Sequence, residues 1–215
     1  MSAVSATERP YAVTPIRLSR DATRVFQLDA MAIRVNSSAL ATMRSYEIFR
    51  ECPTEVVNEI FVYLQQHEKG VYRAIIQNIA TQRKLRPVFI ERKPKPERHE
   101  WLRQALSRKP ADDVAAQTLQ IWLLGAQKDL ICQFLDALDI AHDGKGFVDE
   151  LPPEPPSEKL KAAVDHLLES HRPEIVAVYL NLFQTMDDAG WKGLEEILTT
   201  DARLKIGQAS GAETA

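Results

Sequence analysis

Glycine is scarce in this chain, eight in 215 residues. None of the eight stands in a phosphate-cradling GxxxxGK[ST] loop, a GxGxxG dinucleotide turn or a GxSxG nucleophile elbow. The α/β enzyme scaffolds that depend on those turns are therefore excluded. Cysteine is scarcer still. Cys52 and Cys132 lie far apart, with no CxxC or Cys/His spacing, which argues against a disulfide framework or a zinc site and fits a reducing cytoplasm. No run approaches the ~18 apolar residues of a membrane span, and the densest cluster, Ile121–Leu124, is bounded by polar residues within a turn or two. The N-terminus lacks the basic-then-apolar order of a secretory signal. Arg9, Arg17, Arg20 and Arg24 among Ser, Ala and Thr give it a faint transit-peptide likeness, which Glu8, Asp21 and the early prolines interrupt.

Metal-binding patterns are also thin. The run Asp139–Glu150, DIAHDGKGFVDE, places Asp at positions 1 and 5, Gly at 6 and Glu at 12 of a calcium loop. Ala141 replaces the oxygen ligand at position 3, Gly146 replaces the apolar residue at position 8, and prolines replace the exiting helix. The run is read instead as a helix end and a turn, with Gly144 or Gly146 supplying left-handed geometry. His67, His99, His142, His166 and His171 have no i, i+4 pairing with an acid beside it, and are read mostly as solvated surface. Asp187 and Asp188 precede Gly190 as first-turn acids, not as a catalytic pair. No catalytic residue, cofactor site or metal site is expected, and the chain is not read as an enzyme.

What the sequence does hold is helical periodicity, three times over. Pro53 leads into Val56, Val57, Ile60, Phe61 and Leu64. Pro110 leads into Val114, Ala115, Thr118, Leu119 and Trp122, and Pro173 into Ile175, Val176, Tyr179, Leu180 and Phe183. Each set follows the i, i+3, i+4 spacing of a buried stripe. A following helix matches too: Tyr72, Ile75 and Ile79 correspond to Ile131, Phe134 and Leu138, and these to Trp191, Leu194 and Leu198. A preceding helix matches more loosely through Ile48–Phe49, Ala105–Leu106 and Leu167–Leu168. The fold class is therefore all-α, with three tandem three-helix repeats of roughly 60 residues, stacked as a short solenoid or a compact bundle.

Proline clusters set the boundaries, RKPKPE at 92–97 and LPPEPPS at 151–157. The units are 37–95, 96–155 and 156–207, the last opening on a helix from Glu158 with Ser157 as its N-cap. Residues 1–36 are expected to form a separate, partly disordered arm, with the Ser-, Ala- and Thr-rich 1–14 mobile. Ile16 and Leu18, Phe26 and Leu28, then Met31, Ile33 and Val35 alternate with polar or small residues, as short extended segments do. The polar tail 208–215 is expected to be disordered.

The net charge of −3 conceals a division at Lys109. Residues 1–109 hold 19 Lys and Arg against 11 Asp and Glu, net +8, while residues 110–215 hold 8 against 19, net −11. Such a division bears on association rather than on fold. The basic density peaks between Arg83 and Lys109, where Arg83, Lys84, Arg86, Arg92, Lys93, Lys95, Arg98 and Arg103 are candidate contacts for an anionic partner, interleaved with Phe89 and Trp101. The plainer reading is a solvated connector between units, with Trp101 in the core.

In its units the chain resembles HEAT and armadillo-type α-solenoids. The stretch KLKAAVDHLLESHRPEIVAVYLNLFQTMDDAGWKGLEEIL, Lys159–Leu198, is also similar to repeats of uncharacterised bacterial helical proteins. The units exceed the usual length of about 40–47 residues and lack the Asp and Arg pair between helices. The resemblance implies a helical stack and no activity. Two functions are compatible with it. One is a protein-interaction or assembly module, self-associating through its basic first half and acidic second half. The other is a nucleic-acid binder in the manner of HEAT-like DNA glycosylases, with Trp101, Trp122 and Trp191 as candidates for base contact, of which Trp122 and Trp191 stand at core positions of the repeat.

Overall fold

The structure is a computed structural model that describes residues 42–148, 151–186 and 190–207. The arm expected over 1–36, the tail from Gln208, and Asp187 and Asp188 lie outside the described residues. Ten α-helices and no strand occur among the described residues. They are α1 (Ser45–Glu51), α2 (Thr54–His67), α3 (Lys69–Gln82), α4 (Pro87–Glu91), α5 (Lys95–Leu106), α6 (Asp112–Ala126), α7 (Lys128–Ala137), α8 (Ser157–Ser170), α9 (Pro173–Met186) and α10 (Lys192–Thr200). No helix among them is long and apolar enough to cross a membrane.

The prolines act at helix starts, where a missing N–H removes no intrahelical bond. Pro53 and Pro94 are the N-caps of α2 and α5, and Pro173 is the first residue of α9. Pro156, and not Ser157, is the N-cap of α8; Ser157 is already helical. Pro110 acts indirectly, in a 3-10 turn at Lys109–Ala111 that feeds α6.

Nearly every stripe residue read from the sequence is buried. Val56, Val57, Ile60, Phe61 and Leu64 line the core from α2; Ala115, Thr118, Leu119 and Trp122 from α6; Ile175, Val176, Tyr179 and Leu180 from α9. Val114 and Phe183 are half-buried against the same core. The Thr118 hydroxyl meets its need internally by donating to the Val114 carbonyl at 2.6 Å. Helix α2 packs on α6 and α6 on α9, while α1 lies against α5 and α6. Helix α8 is covered by α7 and α10.

The two ends of the described chain also meet. The buried Asn181 side chain in α9 accepts the Met43 N–H at 3.0 Å, and Arg172 pairs with Glu59 of α2. A linear stack with contacts only between successive groups would not make these links.

Two helices end in the same way. At the end of α3 the Leu85 N–H reaches back to the Ala80 carbonyl at 2.8 Å and the Lys84 N–H to Thr81 at 3.1 Å. At the end of α7, Ile140 reaches Leu135 at 2.9 Å and Asp139 reaches Asp136 at 3.0 Å. This 6→1 and 5→2 pairing is the Schellman motif, which needs a left-handed residue one position past the C-cap. Lys84 and Asp139 supply it, with φ of 54° and 57°. At the end of α7 the residue expected there is Gly144 or Gly146. Both do have positive φ, but in the following turn.

Candidate functional site

The basic stretch is not a bare connector. It folds into α4 and α5, and its cations divide into two groups. Arg103 is used inside the molecule: its guanidinium donates to the carbonyls of Phe49 (3.1 Å), Arg50 (3.0 Å) and Cys52 (3.2 Å). These are C-terminal carbonyls of α1 and its cap, which the helix itself cannot satisfy. Arg98 donates to the Glu91 carbonyl at 2.8 Å and holds α5 to the end of α4. Arg83 lies with its guanidinium carbon 4.6 Å from the centre of the Trp101 ring. Burial, and then the nearby Arg108, lower its pKa. Lys93 bonds to Glu97 and lies 5.1 Å from the Phe89 ring centre.

Lys84, Arg86, Arg92 and Lys95 are exposed and form no ion pair among the described residues. Of the eight sequence candidates, these four present their charge to solvent. The structure adds a feature that the charge pattern hid. Leu85, Val88 and Phe89 are the exposed large hydrophobics among the described residues, at 39%, 44% and 54% exposure. All three fall within five consecutive positions. The local geometry explains why: Ile90 is fully buried and anchors α4 to the core, so its neighbours Val88 and Phe89 turn outward. The Schellman turn at Lys84 brings Leu85 to the same side, and together with Lys84, Arg86, Arg92, Pro94 and Glu97 these residues line a shallow groove of 590 Å³. Phe89 was legible in the sequence as an aromatic among cations; Leu85 and Val88 were not. Their signal was a short apolar run outside any helical stripe.

The tryptophans are not available as base-stacking platforms. Trp122 and Trp191 are buried, and Trp101 is half-buried under Arg83. Among the histidines, expected mostly at the surface, His99 is the exception. His99 is 3% exposed, with Nδ1 2.9 Å from Asn58 Oδ1 and Nε2 3.2 Å from the Gln65 amide nitrogen. That amide also donates to the Tyr72 hydroxyl at 2.8 Å. The partners fix a neutral imidazole, Nδ1–H donating to Asn58 and Nε2 accepting from Gln65. Burial first, then Lys95 and Arg98, bring its pKa down to about 4. The network ties α2, α3 and α5 together.

In the calcium-like run the described acids, Asp139 and Asp143, are engaged within the protein. Asp143 Oδ1 accepts the N–H groups of Lys145 (2.7 Å) and Phe147 (3.1 Å), and Asp139 pairs with Lys159 at 2.7 Å. No group of three metal-ligating side chains occurs among the described residues. Cys52 and Cys132 are free thiols. Cys52 is buried, and burial pushes its pKa up to about 12, so it is held as an unreactive thiol. Cys132 is half-buried. A second groove of 410 Å³ between α8 and α10 is lined by Lys161, Asp165, Asp201 and Arg203. Arg203 bonds Asp165 and Asp201 there, and with Lys161 and Glu196 the lining carries two cations against three acids. No protein-family model, curated protein or solved structure matches the chain.

Proposed function

We propose that this chain is a non-enzymatic protein-interaction module, built from three related three-helix units, that presents the α4 surface to a partner. The unit reading is supported by α1–α3, α5–α7 and α8–α10, which repeat one order of a leading helix, a central stripe helix and a following helix, with stripe residues buried at matching positions. One observation carries the functional reading. The large apolar side chains left exposed among the described residues gather on one basic turn rather than scattering singly. Scattered exposed apolar residues are ordinary on a soluble surface, whereas a cluster rimmed by charge marks a contact region.

A photo-crosslinking amino acid placed at position 88, and separately at the exposed position 166 of α8, tests this in the cells that produce the protein. The expected result is a discrete protein adduct from position 88 and none from 166. Equal adducts from both positions, or none from either, would overturn the reading.

Nucleic-acid binding is the second reading, favoured by the exposed Phe89 standing among Lys84, Arg86 and Arg92. An oligonucleotide titration at low salt, with duplex and single strands, decides it. The charge division also permits head-to-tail association, basic half to acidic half. A sedimentation coefficient unchanged between low and high salt would remove that option.

A further inference from the structure

We infer that the α4 groove receives an acidic amphipathic helix of a separate partner protein, whose apolar stripe covers Leu85, Val88 and Phe89 while flanking carboxylates meet Lys84, Arg86 and Arg92. This rests on the interaction-module reading and specifies its occupant.

Charge complementarity gives the sign. The three cations at the rim are exposed and form no ion pair among the described residues, and the one acid lining the groove, Glu97, is bound to Lys93. Glu91 is exposed, does not line the groove, and leaves the rim net positive. An anionic partner gains attraction there without first breaking an existing pair.

The apolar pattern gives the shape. Val88 and Phe89 stand on the outer face of a single helical turn, with Leu85 in the link that precedes it. Together they offer a short apolar floor beside the wall formed at Pro94 and Glu97 where α5 begins. Such a trough fits the i, i+3, i+4 ridge of a helix.

Other occupants fit less well. A second copy of this chain would have to bring its acidic half, yet outside 85–89 the described residues hold no exposed large hydrophobic to cover the floor. Patch against patch would set Lys84, Arg86 and Arg92 against their own kind. For a nucleic acid, Leu85 and Val88 provide neither a stacking face nor a hydrogen bond. For a bilayer, the five residues of α4 are too few for an interfacial amphipathic helix.

The test uses the full chain and a fluorescent synthetic helical peptide of about 18 residues, with Leu at i, i+3, i+4 and i+7 and Glu on the flanks. A second peptide carries Lys in place of Glu. Competitors are a single-stranded oligonucleotide and vesicles of anionic phospholipid. The acidic peptide is expected to bind at least about tenfold more tightly than the basic one, and Phe89→Glu or the pair Arg86→Glu with Arg92→Glu to weaken it by about tenfold or more. All three changes are at exposed positions, and circular dichroism confirms that the helices persist.

Equal affinity for the two peptides, no effect of Phe89→Glu, or displacement by the oligonucleotide or the vesicles at lower concentration than by unlabelled peptide would each overturn the inference. If the acidic peptide fails while position 88 still crosslinks to a discrete protein, this inference falls and the module reading stands. If crosslinking also fails, both fall.

Discussion

Lys84 and Asp139 hold the same backbone station at the ends of two different helices. Each stands one residue past a C-cap in the left-handed region, and each is followed by an aliphatic residue whose N–H closes the motif. The station is shared, but the charge is opposite. At α7 the residue that closes the motif, Ile140, is buried; at α3 the corresponding Leu85 is exposed. One packing device thus ends in core in one place and in an open apolar-basic surface in the other.

Lysine is a poor choice for that station, since a Cβ at positive φ meets the following carbonyl. Lys84→Gly is expected to raise the free energy of unfolding by about 1 kcal/mol and also to weaken the acidic peptide. Lys84→Ala keeps the steric penalty, and should weaken the peptide without stabilising the fold. Urea denaturation of the three proteins measures this, and a Lys84→Gly midpoint at or below the parent's would show that the conformation is not strained.

Arg103 and the rim cations should separate cleanly. Arg103→Gln strands several carbonyls at the end of α1, and a loss of about 1–3 kcal/mol is expected. Arg86→Glu or Arg92→Glu at exposed positions should stay within about 0.5 kcal/mol. Denaturation midpoints for the three variants, read beside peptide affinity, should reverse their order. Equal loss of stability would mean that Arg86 or Arg92 has a structural partner.

Glycine positions give a paired test. At Gly146 φ is +88°, and an added Cβ would lie 2.6 Å from Cγ2 of the buried Ile131. Gly146→Ala should therefore destabilise by about 1–3 kcal/mol. Gly70, in the first turn of α3, has nothing within 4 Å of an added Cβ, and Gly70→Ala should stabilise by up to about 1 kcal/mol. Thermal unfolding shifts of the same sign would contradict the local geometry.

His99 makes stability depend on pH in a defined window. The folded protein holds its imidazole neutral down to about 4, whereas the unfolded chain returns it to the ordinary 6.5. Between those values the unfolded state binds more protons, so this residue's contribution is fully present above 6.5 and is lost as pH falls toward about 4. His99→Gln, which cannot take up that proton, should flatten the fall. A slope between pH 6.5 and 4 identical in the two proteins would assign the acid sensitivity to other groups.

The sequence determined the longer helices and the faces they bury, because both follow from local spacing, but not the five-residue α4, whose single buried residue Ile90 makes no stripe. Residues such as Ile60, Leu119 and Leu180 recur at intervals that only a helix brings to one side, and prolines mark where α2, α4, α5, α8 and α9 start. A buried histidine escaped that reading because its polar partners come from α2 through Asn58 and Gln65, far away in the chain. The fate of the basic stretch escaped for the same reason. Whether Arg103 meets solvent or the open end of α1, and whether Leu85, Val88 and Phe89 find a covering helix, depends on which distant segments arrive beside them. Periodicity told which residues seek the core; only the tertiary packing decided that Ile90 reaches it while Phe89 and Val88, one and two positions before, are left at the surface among cations.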